Sequence, residues 1–446
     1  MTEYKPMTEL PEAAGYKAGD CLVLIGELFG RGYANGLIDE AKRLGMTIIG
    51  TTVGRRENNG SLRPLNNEEL TEAEALLGGK VINIPLEAGF DMESVDGQPS
   101  IAEQLKKVKA DAWDSVNFDS QFIQQAQKAG RARFKANLTQ VMAELEQQIP
   151  AGGNVIFAHT MAGGIPRARL FMPLLNRVFK GSGDKYLSSE TFWQSDLGRL
   201  CDASFNEVTA NTLQQLLEVS APLRQKLTAA GGRAAYTAYG YHGTGILKSS
   251  EYCWQSYTPY LQGYAKMLLE QHAANGRKEG INVTVFNCPE ILTNSSALFL
   301  GVEISLYPLL SAIRKEVGKE AAALLEASCQ NLLGDGNTLD SLLTEAGKYL
   351  NNPLISESLD FAGWPQHSTK EQMELMLSSS ASLISMHRDQ KQLICALLSA
   401  VVFRATGHLM IQASWSTEQP VLWLNHDIIA RLATRLPSIL QAGELG

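Results

Sequence analysis

The sequence predicts an α/β protein built on a doubly wound parallel sheet, with large helical insertions and a helical C-terminal extension. Three observations predict it. Short β-branched or apolar runs alternate with long helical patterns over about the first three hundred residues. A glycine-rich turn directly follows the first of these runs, and 446 residues with 44% apolar content suffice for a large core.

The strands are expected at Cys21–Ile25, Thr47–Thr52, Val81–Ile84, Val155–Ala158, Ala234–Tyr239 and Val283–Asn287, each followed by polar or glycine-containing sequence. Helices are expected at Ala34–Leu44, Ser120–Gln148, Thr209–Ala229 and Tyr260–Ala274, where apolar residues recur at three-four spacing. The connections that begin at Gly54 and Pro166 exceed the usual two to six residues. Substrate-covering segments belong in such insertions, with Asp184–Ala203, carrying Phe192 and Trp193, the first candidate. From Gly334 the alternation gives way to helical patterns. The expected division is a catalytic dinucleotide-binding domain over 1–330 and a helical extension packed on it over 331–446.

A net charge of −8 excludes sequence-independent attraction to nucleic acid. No run of about 18 apolar residues is present, and the first residues lack a basic and apolar leader, so the reading is a cytoplasmic protein with no membrane span. Six scattered cysteines without a Cys-x-x-Cys pair read as reduced thiols, and no metal site is expected. Homo-oligomeric assembly is left open.

After the first strand the chain runs Gly26-x-x-x-Gly30-x-Gly32 into a helix. Glycine is needed there because the backbone must turn sharply and approach a pyrophosphate, while the helix presents its N-terminal N–H groups to the anion. This reads as the nucleotide turn of a Rossmann-like fold, with an ordinary tight βα turn the alternative, and Phe29, Arg31 and Tyr33 join the three glycines as cofactor-contact candidates. The second strand is followed by Arg55 and Arg56, a planar-fork pair suited to a 2′-phosphate or else two solvated loop arginines, so NADPH is the expected cofactor, with NADH as the alternative. Leu86 and Glu87, after the third strand, fall where the adenine amino group would lie. Ala158, His159 and Thr160 end the fourth strand where backbone would pass beside the nicotinamide ribose, with a satisfied turn histidine the alternative for His159.

The segment from Tyr257 to Lys266 carries the chemistry. Nine residues apart on one helix, the two would be turned by about 900° and face opposite ways. Thr258 and Pro259 are a good N-cap and first helical residue, which leaves Tyr257 in the loop before the helix, free to bend toward Lys266. Tyr260 and Tyr264 are rivals, as is plain aromatic packing. Tyr239 is the candidate second donor, with sheet packing the alternative for it and Tyr236.

With these motifs in order, the sequence resembles the V-type enoyl-acyl-carrier-protein reductases and the related trans-2-enoyl-CoA reductases of the short-chain dehydrogenase/reductase superfamily, and it is similar to the FabMG group. The resemblance rests on Tyr257 and eight residues before Lys266, Gly263-Tyr264-Ala265-Lys266, the loop Gly26 to Tyr33, Leu86-Glu87, the turn from Ala158 to Arg167, the tyrosine strand through Tyr239, and Thr293 in the segment that meets the carboxamide. It spans roughly residues 20–320. Arg55-Arg56 in place of an acid and an insertion over Tyr241–Trp254 depart from it.

The resemblance implies reduction of the C2=C3 bond of a trans-2-enoyl thioester, carried on acyl carrier protein or coenzyme A, in fatty-acid synthesis. Tyr257 would hydrogen-bond the thioester oxygen and Lys266 would hold the nicotinamide ribose. A carbonyl or 3-ketoacyl reductase is the alternative enzyme, since the same pair protonates an alkoxide. A non-catalytic dinucleotide sensor is the alternative outside catalysis.

Overall fold

The computed structural model describes residues 3–57, 60–180, 190–248, 250–256, 261–293, 301–357, 361 and 368–440. Among them, seven strands form one parallel sheet: β1 (Cys21–Ile25), β2 (Thr47–Thr52), β3 (Lys80–Pro85), β4 (Val155–His159), β5 (Ala234–Gly240), β6 (Val283–Asn287) and β7 (Val421–Trp423). Their spatial order is β7-β6-β5-β4-β1-β2-β3. The order reverses between β1 and β4, the switch point outside whose carboxyl ends such sheets bind ligands. The predicted α/β, doubly wound class is the one found.

Strand periodicity distributes the core. Leu22, Leu24, Ile156, Ala158 and Phe286 face one layer, while Cys21, Val23, Ile25, Val155, Phe157, Val283 and Val285 face the other. The first layer holds α1 (Ala34–Arg43) and the helices of the C-terminal third. The second holds α2 (Ser120–Gln148), the helices between Thr212 and Ala229, and α3 (Leu261–Lys278). A third cluster, from Phe90 and Trp113 to Phe192, Trp193 and Phe205, packs the insertions together and reaches Ala265 on α3.

Four local features differ from expectation. The segment expected as one helix over Thr209–Ala229 is a π-turn at Glu207–Asn211, then Thr212–Val219 and Ala221–Ala229. The π-turn accommodates Glu207, a buried carboxylate clamped by Arg131, Gln127 and Asn211. The insertion after β5 is a hairpin, Gly243–Lys248 with Glu251–Ser256. Arg55–Arg56 forms a second short hairpin with Leu62–Arg63. The C-terminal third supplies β7, parallel to β6. It also contains α4 (Ala396–Ala413), long and apolar enough to cross a membrane by composition, but largely buried in the first core layer.

Candidate active site at the carboxyl edge of the sheet

The glycine turn is built as its residues require. Gly26 has φ 138°, and a Cβ there would come within 2.5 Å of Thr160 Oγ1, so the turn closes against the end of β4. Thr160 completes the closure by donating its N–H and hydroxyl to the Ile25 carbonyl at 2.9 and 3.0 Å. At Gly30 and Gly32, a Cβ would meet nothing within 4 Å. Their backbone borders open space ahead of α1, where a pyrophosphate would take the helix N-terminal N–H groups. Phe29 is 53% exposed on this loop. Arg31 is also exposed and has no ion pair among the described residues, which leaves its cation available to an anion. A pocket lined by Gly26, Glu27, Thr51, Thr52, Ala73 and Val81 continues from the turn over the end of β2.

The two arginines expected to receive a 2′-phosphate are both engaged. Arg55 forks onto Glu27, with Nη1 3.0 Å from Oε2 and Nη2 2.9 Å from Oε1. Arg56 donates to Glu87, and Arg167 takes the other Glu87 oxygen at 2.9 Å. Arg133 adds bonds to Glu93 and to the carbonyls of Glu87 and Gly89. Glu87 is thereby the buried centre of an ionic cluster that fixes the loop after β3, and Leu86 is fully buried beneath it.

On the nicotinamide side, α3 carries Lys266 to the carboxyl ends of β4 and β6. Lys266 is only 7% exposed and has no hydrogen bond or ion pair among the described residues. Burial lowers its ammonium to about 8, partly opposed by the Cys288 thiol. At the end of β4, His159 is buried and held neutral, pushed down to about 3 by burial and then by the Lys266 charge. Its Nε2 lies 2.7 Å from Thr212 Oγ1. That hydroxyl donates its only hydrogen to the Val208 carbonyl, so Nε2–H must be the donor and Nδ1 a bare acceptor. Nδ1 is buried without a partner among the described residues.

Tyrosines ring the same edge. Tyr33 donates to the Pro289 carbonyl, tying the glycine turn to the loop after β6, and its ring lies 5.3 Å from that of Tyr239. The Tyr239 hydroxyl is buried with no partner among the described residues. Tyr236, by contrast, stacks on Phe157 at 5.0 Å and is tethered to Ser220 and Arg224, a sheet aromatic. Tyr257 and its rival Tyr260 lie outside the described residues, as does part of the Asp184–Ala203 segment. Thr293 ends the described loop after β6, where the neighbouring Leu292 N–H is held by Ser399 at 3.0 Å.

Two further features escaped the sequence reading. Directly after β5, Tyr241 donates to Glu290, a carboxyl 3% exposed in the loop after β6. The next residue, His242, points the other way. Its Nδ1 lies 3.0 Å from Glu270 on α3, and Asn287 ties both residues, receiving the His242 N–H and donating to Glu270 at 2.8 Å. Nothing in the sequence marks these acids, because an isolated Glu in a loop or helix ordinarily reads as solvated.

A nicotinamide dinucleotide fits what is present: an open glycine cradle at a helix N-terminus and, without partners among the described residues, the Arg31 cation, a buried ammonium, an imidazole acceptor and a phenol. The sequence over residues 3–433 matches the family described as enoyl-acyl carrier protein reductase FabMG. The chain belongs to that family. It is an oxidoreductase that acts on enoyl thioesters with a nicotinamide dinucleotide. An apo FabMG structure is 46% identical, with a TM-score of 0.92, over 98% of this chain and 100% of that one. A FabMG structure described as NADH-bound is 38% identical, with a TM-score of 0.76, over 98% of this chain and 100% of that one. No curated protein sequence matches the chain.

Proposed function

We propose that this FabMG-family chain reduces the C2=C3 bond of trans-2-enoyl thioesters on acyl carrier protein in the cytoplasm, with NADH as its preferred cofactor. The observation that carries the reading is Lys266: a buried ammonium at the carboxyl edge, with no partner among the described residues, requires acceptors, and ribose hydroxyls supply them. The bound dinucleotide supplies the hydride that adds to C3. Lys266 holds the nicotinamide ribose, and Tyr257 donates to the thioester oxygen as negative charge develops there. Tyr239 is the second donor, its buried hydroxyl awaiting an acceptor. Free thiols at all six cysteines suit a reducing compartment.

Preference for NADH over NADPH rests on the arginines. Arg55 is neutralised by Glu27, and a 2′-phosphate would have to displace that carboxylate and then lie beside it. The NADH named for the related FabMG structure agrees with this.

Following dinucleotide absorbance with crotonyl-acyl carrier protein and acetoacetyl-acyl carrier protein tests the reaction. Consumption with the first substrate alone is expected, whereas turnover of the ketone alone would overturn the assignment. Lys266→Ala should weaken NADH binding, measured by fluorescence titration, by on the order of tenfold or more, as loss of a charged hydrogen-bond donor implies. Unchanged affinity would remove Lys266 from the site.

A further inference from the structure

The mechanism above leaves the proton for C2 without a source, and the carboxyl edge holds a pair placed to provide one. Tyr241 follows Gly240, the last residue of β5, and its half-buried ring packs against the cluster that contains Ala265, the neighbour of Lys266. Its hydroxyl donates to Glu290, three residues beyond the end of β6. Loop geometry fixes the pair from both sides. A Cβ at Gly240 would strike Asn287 Oδ1 at 2.4 Å, and that same oxygen takes the His242 N–H at 2.7 Å. Tyr241 therefore leaves a fixed backbone turn with its ring on the cluster that reaches α3 and its hydroxyl on the Glu290 loop.

We propose that Tyr241 delivers the proton to C2 of the reduced thioester and that Glu290, behind it, resupplies that proton. The proposal rests on the enoyl reduction described above. After C3 has gained its hydrogen, the electron pair shared by the enolate oxygen and C2 forms a new C2–H bond with the Tyr241 proton. The Tyr241 O–H bond breaks in that step. It re-forms with the proton of the neutral Glu290 carboxyl, and the Glu290 carboxylate takes a proton from water. Glu290 is suited to be neutral: burial raises its carboxyl to about 8, the Tyr241 bond opposes this, and Glu303 adds to it. The titratable groups that face it are Tyr241 from the loop after β5 and Glu303 from the helix Val302–Leu306. No cation forms an ion pair with it among the described residues.

A neutral acid is present below its pKa and is lost as pH rises through about 8. At saturating dinucleotide, where Lys266 no longer limits binding, kcat of the wild type should fall above that pH. Glu290→Gln keeps the shape and the hydrogen bond to Tyr241 but has no proton to pass. Its kcat should drop on the order of 10²-fold, the usual scale for general acid catalysis, with the inflection abolished and the KM for NADH unchanged. Tyr241→Phe should lose a similar factor, and the double variant should lose no more than either alone. Independently of turnover, infrared spectra of the ligand-free protein should show a protonated carboxyl band that titrates near the same pH and disappears in Glu290→Gln. A Glu290→Gln enzyme with wild-type kcat and pH profile overturns the proposal while leaving the enoyl reduction standing. A wild type that reduces no enoyl thioester overturns both.

Discussion

Arg55 and Arg56 show how a residue type can be read from sequence while its role cannot. A planar fork after the second strand implies a phosphate, but Glu27, one residue past Gly26, lies where it can bind Arg55 with both oxygens. It also stands 3.4 Å from the Thr52 hydroxyl at the end of β2, the region where the adenine ribose rests in this fold. Removing the acid should free the arginine. Glu27→Ala is expected to improve kcat/KM with NADPH relative to NADH by about tenfold or more, because a charged hydrogen bond to the 2′-phosphate replaces a charge repulsion. Arg55→Ala in the same background should reverse the gain. If the NADPH-to-NADH ratio stays fixed in Glu27→Ala, Arg55 does not face the 2′ position. Glu40 makes the same point away from the site. It reads as a surface acid on α1, yet it is buried, and despite that burial the bonds from Arg43, His408 and Gln412 hold its carboxyl down to about 2.

At the scale of elements, α1 and α4 cross at two glycines. A Cβ on Gly36 would fall 1.7 Å from the Phe403 carbonyl oxygen, and one on Gly407 would fall 2.0 Å from the Gly36 carbonyl carbon. Backbone contacts backbone here, so no rotamer change can relieve an added methyl. Gly407→Ala should lower stability by about 1–3 kcal/mol or more, as overpacking does, visible as a lower thermal midpoint. The same push displaces α1, whose N-terminus faces the glycine cradle, so NADH affinity should fall as well. An unchanged midpoint and unchanged affinity would show that the helices are not in this contact. Strands β1, β2 and β6 coincide with their expected bounds, because β-branched runs closed by glycine or polar residues leave little choice of start or end. The three-residue β7 is too short to carry a period, and its pairing with β6 arises only from tertiary placement. The π-turn at Glu207–Asn211 was equally illegible, since it answers a buried ion cluster drawn from α2. Lys266 stands out in the sequence through its Gly-x-Ala-Lys setting, whereas Glu290 becomes distinctive only once burial and Tyr241 surround it.

For the whole molecule, the extension beyond residue 330 shares a core with the sheet. One layer joins Leu22, Leu24, Ile156 and Phe286 to Leu342, Leu398, Val402, Leu409 and Ile429. The C-terminal third also lays β7 along the edge of β6, while the N-terminal segment bonds to β7 through Met7 and Lys5. Residues from both ends of the chain therefore close the same edge, with Asn425 donating to the Tyr4 hydroxyl at 2.7 Å. A protein of residues 1–330 would keep α1 and the helices up to Gln330 but lose the rest of the layer on one face of a parallel sheet, a face whose apolar run has no polar alternation to fall back on. It should be insoluble or lack a cooperative thermal transition, even though it retains the glycine turn and Lys266. Supplying 331–446 as a separate chain should recover soluble complex and NADH binding, because the missing contacts are noncovalent. A monomeric 1–330 fragment that melts cooperatively and binds NADH would show instead that the sheet layer is self-sufficient, and that the segment beyond residue 330 was added to an already complete dinucleotide fold.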